Sequence, residues 1–400
     1  MRPGDDDWLE AELGRLLSFG TSARPGEWLD DDGNGEPGRD RETWLAARSL
    51  HVRSLGALAG VPGSLPLAQA ALTALAGPLH DAEHGGWHAR LAPDGAPVTT
   101  DKGCYEHAFV LLAAGTAVRA GLADAVALRS AAETVLEEKF WDDDAGMCLD
   151  SWSPDWSTPA SYRGLNGNMH AVEAMLATGG PWTERAHRIC ARVVDTAGTF
   201  DCRLPEHYDE HWRPEPEAGR ERPDDPFKPY GATVGHGLEW SRLLLDLEAA
   251  VGATEVPVEL VATARGLYAT AVRDGWAADG EPGFVYTTDW SGRPIVRQRM
   301  HWVVAEAIAA AATLHRRTGE SAYADDYHRW WDYADRYVLD HVRGSWHHEL
   351  DPANQPSRVV WSGKPDLYHA VQATLIPRYP VSASVADAVL AGRPGEGSDT

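Results

Sequence analysis

Six histidines recur along the chain at a near-constant interval: His51, His107, His170, His236, His301 and His369, with gaps of 56, 63, 66, 65 and 68 residues. Around them a polar stretch rich in Gly, Trp and Asp runs into an apolar stretch of Ala, Leu and Val. Other polar groups stand at the same junctions: Trp44 and Arg48; Tyr105; Arg163, Asn166 and Glu173; Glu239; Trp302 and Glu306; Lys364, Asp366 and Gln372. A charged group entering an apolar run is costly unless it is paired or wet. Seven of them (Arg48, His170, Glu173, His236, Glu239, Glu306 and His369) sit at the same end of such runs. That points to a shared polar pocket. The competing account is a set of helix-end residues pairing with one another around a water-filled centre.

Imidazole titrates near neutrality and can both take and return a proton. His170/Glu173 and His236/Glu239 are His-x-x-Glu pairs, with both groups on one helical face. Such a pair can ligate a metal, or the Glu can orient its His, and spacing leaves both readings open. Glu173, Glu239, Glu306 and Asp366 could also supply the two carboxylates of a glycoside hydrolase. The number of histidines fits proton shuttling better. No nucleophile elbow and no phosphate-binding loop is present.

The elements that position these groups follow from the recurrence. Residues 283–288 and 295–298 read as short strands about an Asp289–Arg293 turn, and Arg299 opens the Ala-rich run MHWVVAEAIAAAATLHRR. The same order returns at 85–119, 146–178, 201–250 and 344–376, with second helices expected at 123–140, 183–198, 257–274 and 321–341. Helix, short turn, helix and long hairpin loop, repeated six times, give about twelve helices. These close into an all-α (α/α)6 barrel with the hairpins on one face. One domain is expected over 1–381, with a charged, Pro-rich loop at 209–226 that suits a lid and a disordered tail at 382–400.

Composition narrows the partners. The net charge of −24 argues against nucleic acid and anionic membrane and favours a neutral small ligand. There are 17 Trp against 12 Tyr and 6 Phe, many of them in the loops, and flat rings with one polar N–H suit sugars. Four cysteines without metal spacing, no secretory leader and no long apolar run are expected of a cytoplasmic protein, either monomer or homodimer.

The block YRGLNGNMHAVEA, with GHGLEW, the Trp302–Glu306 pair and GKPDLYHAVQA, resembles the N-acylglucosamine 2-epimerase superfamily, in particular its mannose isomerase and sulfoquinovose isomerase branch. The likeness runs from about Thr43 to Gln372 with the motifs in order. It implies an (α/α)6 barrel and an aldose–ketose isomerase that needs no metal or cofactor and works through a cis-enediol(ate). His236 and His369 would be the acid and base, and Arg48 the stabiliser of the oxyanion. Tyr105, Asn166 and His170 would bind sugar hydroxyls. Glu239 and Glu306 would orient the histidines or help open the ring, and Trp44 and Trp302 would be apolar walls. Mannose to fructose is the expected reaction, with lyxose to xylulose beside it. A sulfosugar would need a cation such as Arg163, Lys228 or Lys364. A 2-epimerase would share the machinery.

Overall fold

The computed structural model describes residues 1–99, 101–254 and 258–392. Thirteen α-helices occur among them. Six form an inner ring: α2 (Thr43–Leu58), α4 (Cys104–Arg119), α6 (Leu165–Thr178), α8 (Val234–Val251), α10 (His301–Thr318) and α12 (Tyr368–Leu375). Each packs on the next, and α12 returns to α2. Five outer helices follow their inner partners: α3 (Ser64–Ala76), α5 (Ala125–Val135), α7 (Pro181–Thr199), α9 (Val258–Gly275) and α11 (Ser321–Tyr333). The sixth outer position is filled from the other end of the chain. Helix α1 (Asp6–Ser18) packs on α12, so the two termini close the ring.

The two layers differ in sequence for a physical reason. Inner helices touch protein on every side, and small residues let them approach closely; in α10 the run from Val303 to Leu314 is wholly buried. Outer helices bury one face only. In α7 these residues are Trp182, Ala186, Ile189, Cys190, Val193 and Ala197, a helical period. Helices α5 and α11 each end in a π-helical turn, at Leu136–Phe140 and Ala334–Val338, which carries the first to the expected 140 and leaves the second short of the expected 341. Residue 257, the expected start of α9, lies outside the described residues.

Six hairpin loops gather on one face. Each tip is an Asp whose Oδ1 accepts the backbone N–H two residues on: Asp30, Asp94, Asp155, Asp209, Asp289 and Asp351. The short strand before each inner helix pairs with the following hairpin, as Arg163–Gly164 does with His207–Tyr208. In the last link one backbone bond runs from the Lys364 N–H to the Leu29 carbonyl, and the Trp28 Nε1 donates to the Ser362 carbonyl. The hairpins also serve as helix caps. The first N–H of α2, α4, α6, α8 and α10 is donated to a backbone carbonyl of the next hairpin, such as Leu165 to Glu206. Buried ion pairs fix the same junctions: Lys102–Asp81 at 2.6 Å, Arg299–Asp279 at 2.6 Å and Lys364–Asp340 at 2.7 Å.

Two expectations are corrected here. Arg299 does not open α10. It lies in a strand pair with Leu350 while its side chain binds Asp279, and the helix starts at His301. The tail is not disordered from 382. Helix α13 (Val385–Ala391) is capped by the Ser384 hydroxyl, packs on α2 and α12, and is held by Asp387 to Arg119. Its buried Ala386, Ala388 and Val389 are too short an apolar set to stand out in sequence. Residues 393–400 of the expected tail lie outside the described residues.

Candidate active site

The inner helices present their N-terminal turns to a cavity beneath the hairpins, about 620 Å³ counting its open mouth. Nine of the ten sequence-derived candidates line it: Trp44, Arg48, Tyr105, Asn166, His170, His236, Glu239, Trp302 and His369. The tenth, Glu306, lies just behind the wall, with its Oε1 2.7 Å from His369 Nδ1. His301 lines the cavity too, stacked on His348. The remaining two members of the histidine series stand away from it. His51 bonds the Thr116 hydroxyl, and His107 bridges the Gly103 carbonyl and the Trp87 N–H.

His236 and His369 share the cavity, with the Trp302 ring between them at 5.3 and 5.6 Å from their centroids. Gly235 makes room for that indole: a Cβ there would lie 2.1 Å from the ring. Each imidazole is oriented from behind by a carboxylate on Nδ1, which leaves Nε2 as the nitrogen available to the cavity. For His369 the carboxylate is Glu306. For His236 it is not Glu239, three residues on, but Glu206 at 2.5 Å. The His236/Glu239 pair expected from spacing is therefore not a working pair. Glu239 points inward instead, toward His170 and Arg242.

Below the floor lies a buried charge cluster centred on Arg242. Its guanidinium is 3.3 Å from Glu306, 3.0 Å from Asp246, 3.8 Å from Glu239 and 4.0 Å from Glu173. Glu173 also accepts from the Tyr368 hydroxyl and, at 3.1 Å, from Gln372. Glu239 has no hydrogen-bond partner on either oxygen among the described residues. Burial, and then the charge of Glu306, raise its pKa well above the usual range. Burial raises Glu306 against the pull of Arg242. His170 lies 3.9 Å from Glu173 and 3.8 Å from Glu239, too far for hydrogen bonds, and burial lowers it to about 4.

His369 is held well below its ordinary pKa by burial and by the charge of Arg48, so it is a neutral base at pH 7. Arg48 is itself fixed by Asp366 at 3.0 Å and the Tyr105 hydroxyl at 2.9 Å, over the faces of Phe109 and Tyr368. Burial would lower its pKa, but Tyr105 and Asp366 outweigh that and keep it charged. The Asn166 Oδ1 is buried without a partner, an acceptor ready for a ligand hydroxyl.

Two trios, His170/Glu173/Glu239 and Glu239/Glu306/His369, bring ligand atoms within 4.8 Å of one another. The Arg242 guanidinium already supplies positive charge to every carboxylate in both, which weakens them as cation sites. The cations considered for a sulfonate lie elsewhere. Lys364 is bound to Asp340, Lys228 to Asp150, and Arg163 to backbone carbonyls. Arg48 is the one Lys or Arg among the described residues lining the cavity.

Sequence reasoning missed Glu206, Arg242 and Tyr368 as site components. Arg242 carries the same signal as the residues that were found, a charge inside an apolar helix. Glu206 carries none, since PEHYDE reads as loop. The loop at 209–226 is tied up in its own ion pairs, and the residues that roof the cavity are Pro226, Phe227 and Pro229.

This barrel, with its paired histidines, defines a class that the comparisons identify. The family model for N-acylglucosamine 2-epimerase matches residues 26–373, and the chain belongs to that family. It is 47% identical over 393 residues to a D-mannose isomerase of Thermobifida fusca, covering 96% of each chain. It is 45% identical over 399 residues to a D-mannose isomerase of Pseudomonas cannabina pv. alisalensis, covering 97% of this chain and 96% of that one. Among solved structures, a D-mannose isomerase superposes with a TM-score of 0.86 at 25% identity, covering 94% of this chain and 99% of the other. No helix among the described residues is long and apolar enough to cross a membrane.

Proposed function

We propose that the protein is a D-mannose isomerase, interconverting D-mannose and D-fructose, with D-lyxose to D-xylulose as a lesser activity, in the cytoplasm. The observation that carries this is the pair of imidazoles in one cavity, each held at Nδ1 by a carboxylate, with a fixed guanidinium beside them. A sugar C–H next to a carbonyl is a weak acid. Its removal needs a base aimed at carbon and a positive group at the oxygen.

In this reading Glu239, whose pKa is raised by burial, helps open the sugar ring, while Asn166, His170 and Tyr105 hold its hydroxyls. One histidine takes the proton from C2, and burial keeps His369 neutral and so able to accept it. Charge develops on O1 and is stabilised by Arg48. Return of the proton to C1, with transfer from O2, completes the ketose, and His236 serves the oxygens. Delivery to the opposite face of C2 would give the epimer instead. Glu206 and Glu306 set the tautomer of each ring. In this reading no metal is needed, because Arg48 is the cation at the oxygen.

Hydrolysis is disfavoured because Glu173 and Glu306 do not line the cavity and Asp366 is held by Arg48, which leaves Glu239 without a free carboxylate facing it. A sulfosugar is disfavoured because Arg48, the one Lys or Arg among the described residues lining the cavity, serves the reacting oxygen and leaves no second cation for a sulfonate. The test is incubation with mannose, with and without EDTA, and assay for fructose, run beside glucose, N-acetylglucosamine, cellobiose and sulfoquinovose. Fructose formed at equal rates in both arms is expected. Turnover of another sugar with none of mannose would overturn the reading.

A further inference from the structure

His301 belongs to the histidine series and has no part in the reaction proposed above. It opens α10, is 5% exposed, and lines the cavity with Trp302 and His369. Two hydrogen bonds fix it, and both end on one oxygen. The His348 carbonyl accepts the His301 backbone N–H at 3.1 Å and its ring Nδ1–H at 3.3 Å. That carbonyl is steadied by the strand pair beside it, Met300 with Glu349. The His301 ring is stacked on the His348 ring, with centroids 3.7 Å apart. His348 in turn donates its Nε2–H to the Asp366 carbonyl at 3.1 Å. A carbonyl only accepts, so Nδ1 of His301 carries the hydrogen. Burial lowers its pKa to about 4, so near pH 7 the ring is neutral and Nε2 is a bare acceptor. That nitrogen is buried, and no group among the described residues bonds it. An acceptor so placed costs free energy until something donates to it. The Asn166 Oδ1 is a second acceptor of this kind in the same cavity.

We propose that His301 is a substrate-binding residue whose Nε2 accepts the O–H of one sugar hydroxyl, at C3, C4 or C6, and so selects for a hydroxyl on that carbon. This rests on reading the cavity as a monosaccharide site, in which O1, O2 and the ring oxygen fall to Arg48, His236 and Glu239. A hydroxyl satisfies the nitrogen. The oxygens of an ionised sulfonate, phosphate or carboxylate bring no hydrogen and are repelled by its lone pair. A C–H in place of the O–H leaves it unpaired, and a site built on such a bond rejects the analogue that lacks it.

The readout is binding, which does not require turnover. Stopped-flow quenching of tryptophan fluorescence, read before sugar is converted, measures the affinity of the wild type and of His301→Phe for mannose and for its 3-deoxy, 4-deoxy and 6-deoxy analogues. In the wild type one analogue is expected to bind about tenfold or more weakly than mannose because it leaves Nε2 unpaired. In His301→Phe, which keeps a flat ring on His348 but has no acceptor, that same analogue is expected to bind within about twofold of mannose. The ratios for the other two analogues are expected to stay as they were. His301→Leu takes its place should His301→Phe fail to fold by circular dichroism. Ratios left unchanged for all three analogues overturn the proposal. Equal weakening of all four sugars is that case, and it would make His301 a packing residue. Absence of mannose turnover in the wild type would instead sink the isomerase reading and leave the ratios readable.

Discussion

The two halves of the cavity make the same unit from different parts. On one side His369 of α12 is held by Glu306 of α10, which is tied to Arg242 of α8. All three stand on inner helices and are wholly buried. On the other side His236 of α8 is held by Glu206, which sits in the stretch leading to the roof loop. Glu206 is fixed through its main chain, because its carbonyl caps α6 at Leu165. An imidazole–carboxylate pair thus needs no particular secondary structure. It needs a carboxylate whose backbone is anchored by something else, a helix in one case and a hydrogen-bonded hairpin in the other.

The largest effects should come from the rings themselves. His369→Ala and His236→Ala are each expected to lower kcat about a hundred- to ten-thousand-fold while circular dichroism stays unchanged. Near-normal turnover in either would remove that half from the comparison. Next come the carboxylates. Glu306→Gln and Glu206→Gln are expected to lower kcat by about 10- to 100-fold each, with KM for mannose little moved. Should only one of the two matter, the halves are not equivalent, and the inert carboxylate is structural.

The pH profile sharpens the comparison further. A histidine with a depressed pKa stays a neutral base as pH falls, so the acid limb of kcat/KM should lie well below 6.5. Arg48 contributes to that depression. In Arg48→Met the limb of the residual activity should move upward, toward 6.5, because the repelling charge has gone. A limb that stays put would assign the profile to another group. Smallest of all, Trp302→Phe keeps an apolar wall between the two imidazoles and is expected to cost less than about tenfold in kcat/KM, since one modest packing contact is lost. A much larger loss would mean that the indole sets the distance between the halves.

Six of the ten candidates, Arg48, His170, His236, Glu239, Glu306 and His369, were legible because each breaks a local rule; the roles of Trp44, Tyr105, Asn166 and Trp302 came from the resemblance. Arg48, Glu239 and Glu306 are charges in apolar helices, and such a residue must answer to something outside its own helix. The same signal was present at Arg242 and passed unmarked. Glu206 and the roof residues Phe227 and Pro229 were not legible, because a loop residue breaks no rule by being polar or aromatic. The histidine series shows the opposite error. His107 shares the spacing and the helix-end position of His369, yet it braces its own helix end against the Trp87 N–H. The i, i+3 spacing of His236 and Glu239 likewise proved only that the two share a helical face.

By itself the sequence determined the repeat, the two layers of helices and the end of the barrel at which polar groups collect. These follow from the period of apolar residues, a property of neighbours along the chain. Tertiary structure alone decided which carboxylate serves which histidine, which histidines face the cavity, and how the ring is closed. Those choices depend on contacts between residues tens to hundreds of positions apart, such as α1 filling the last place beside α12. The energy of such a contact depends on burial and distance, and neither is written in the local pattern.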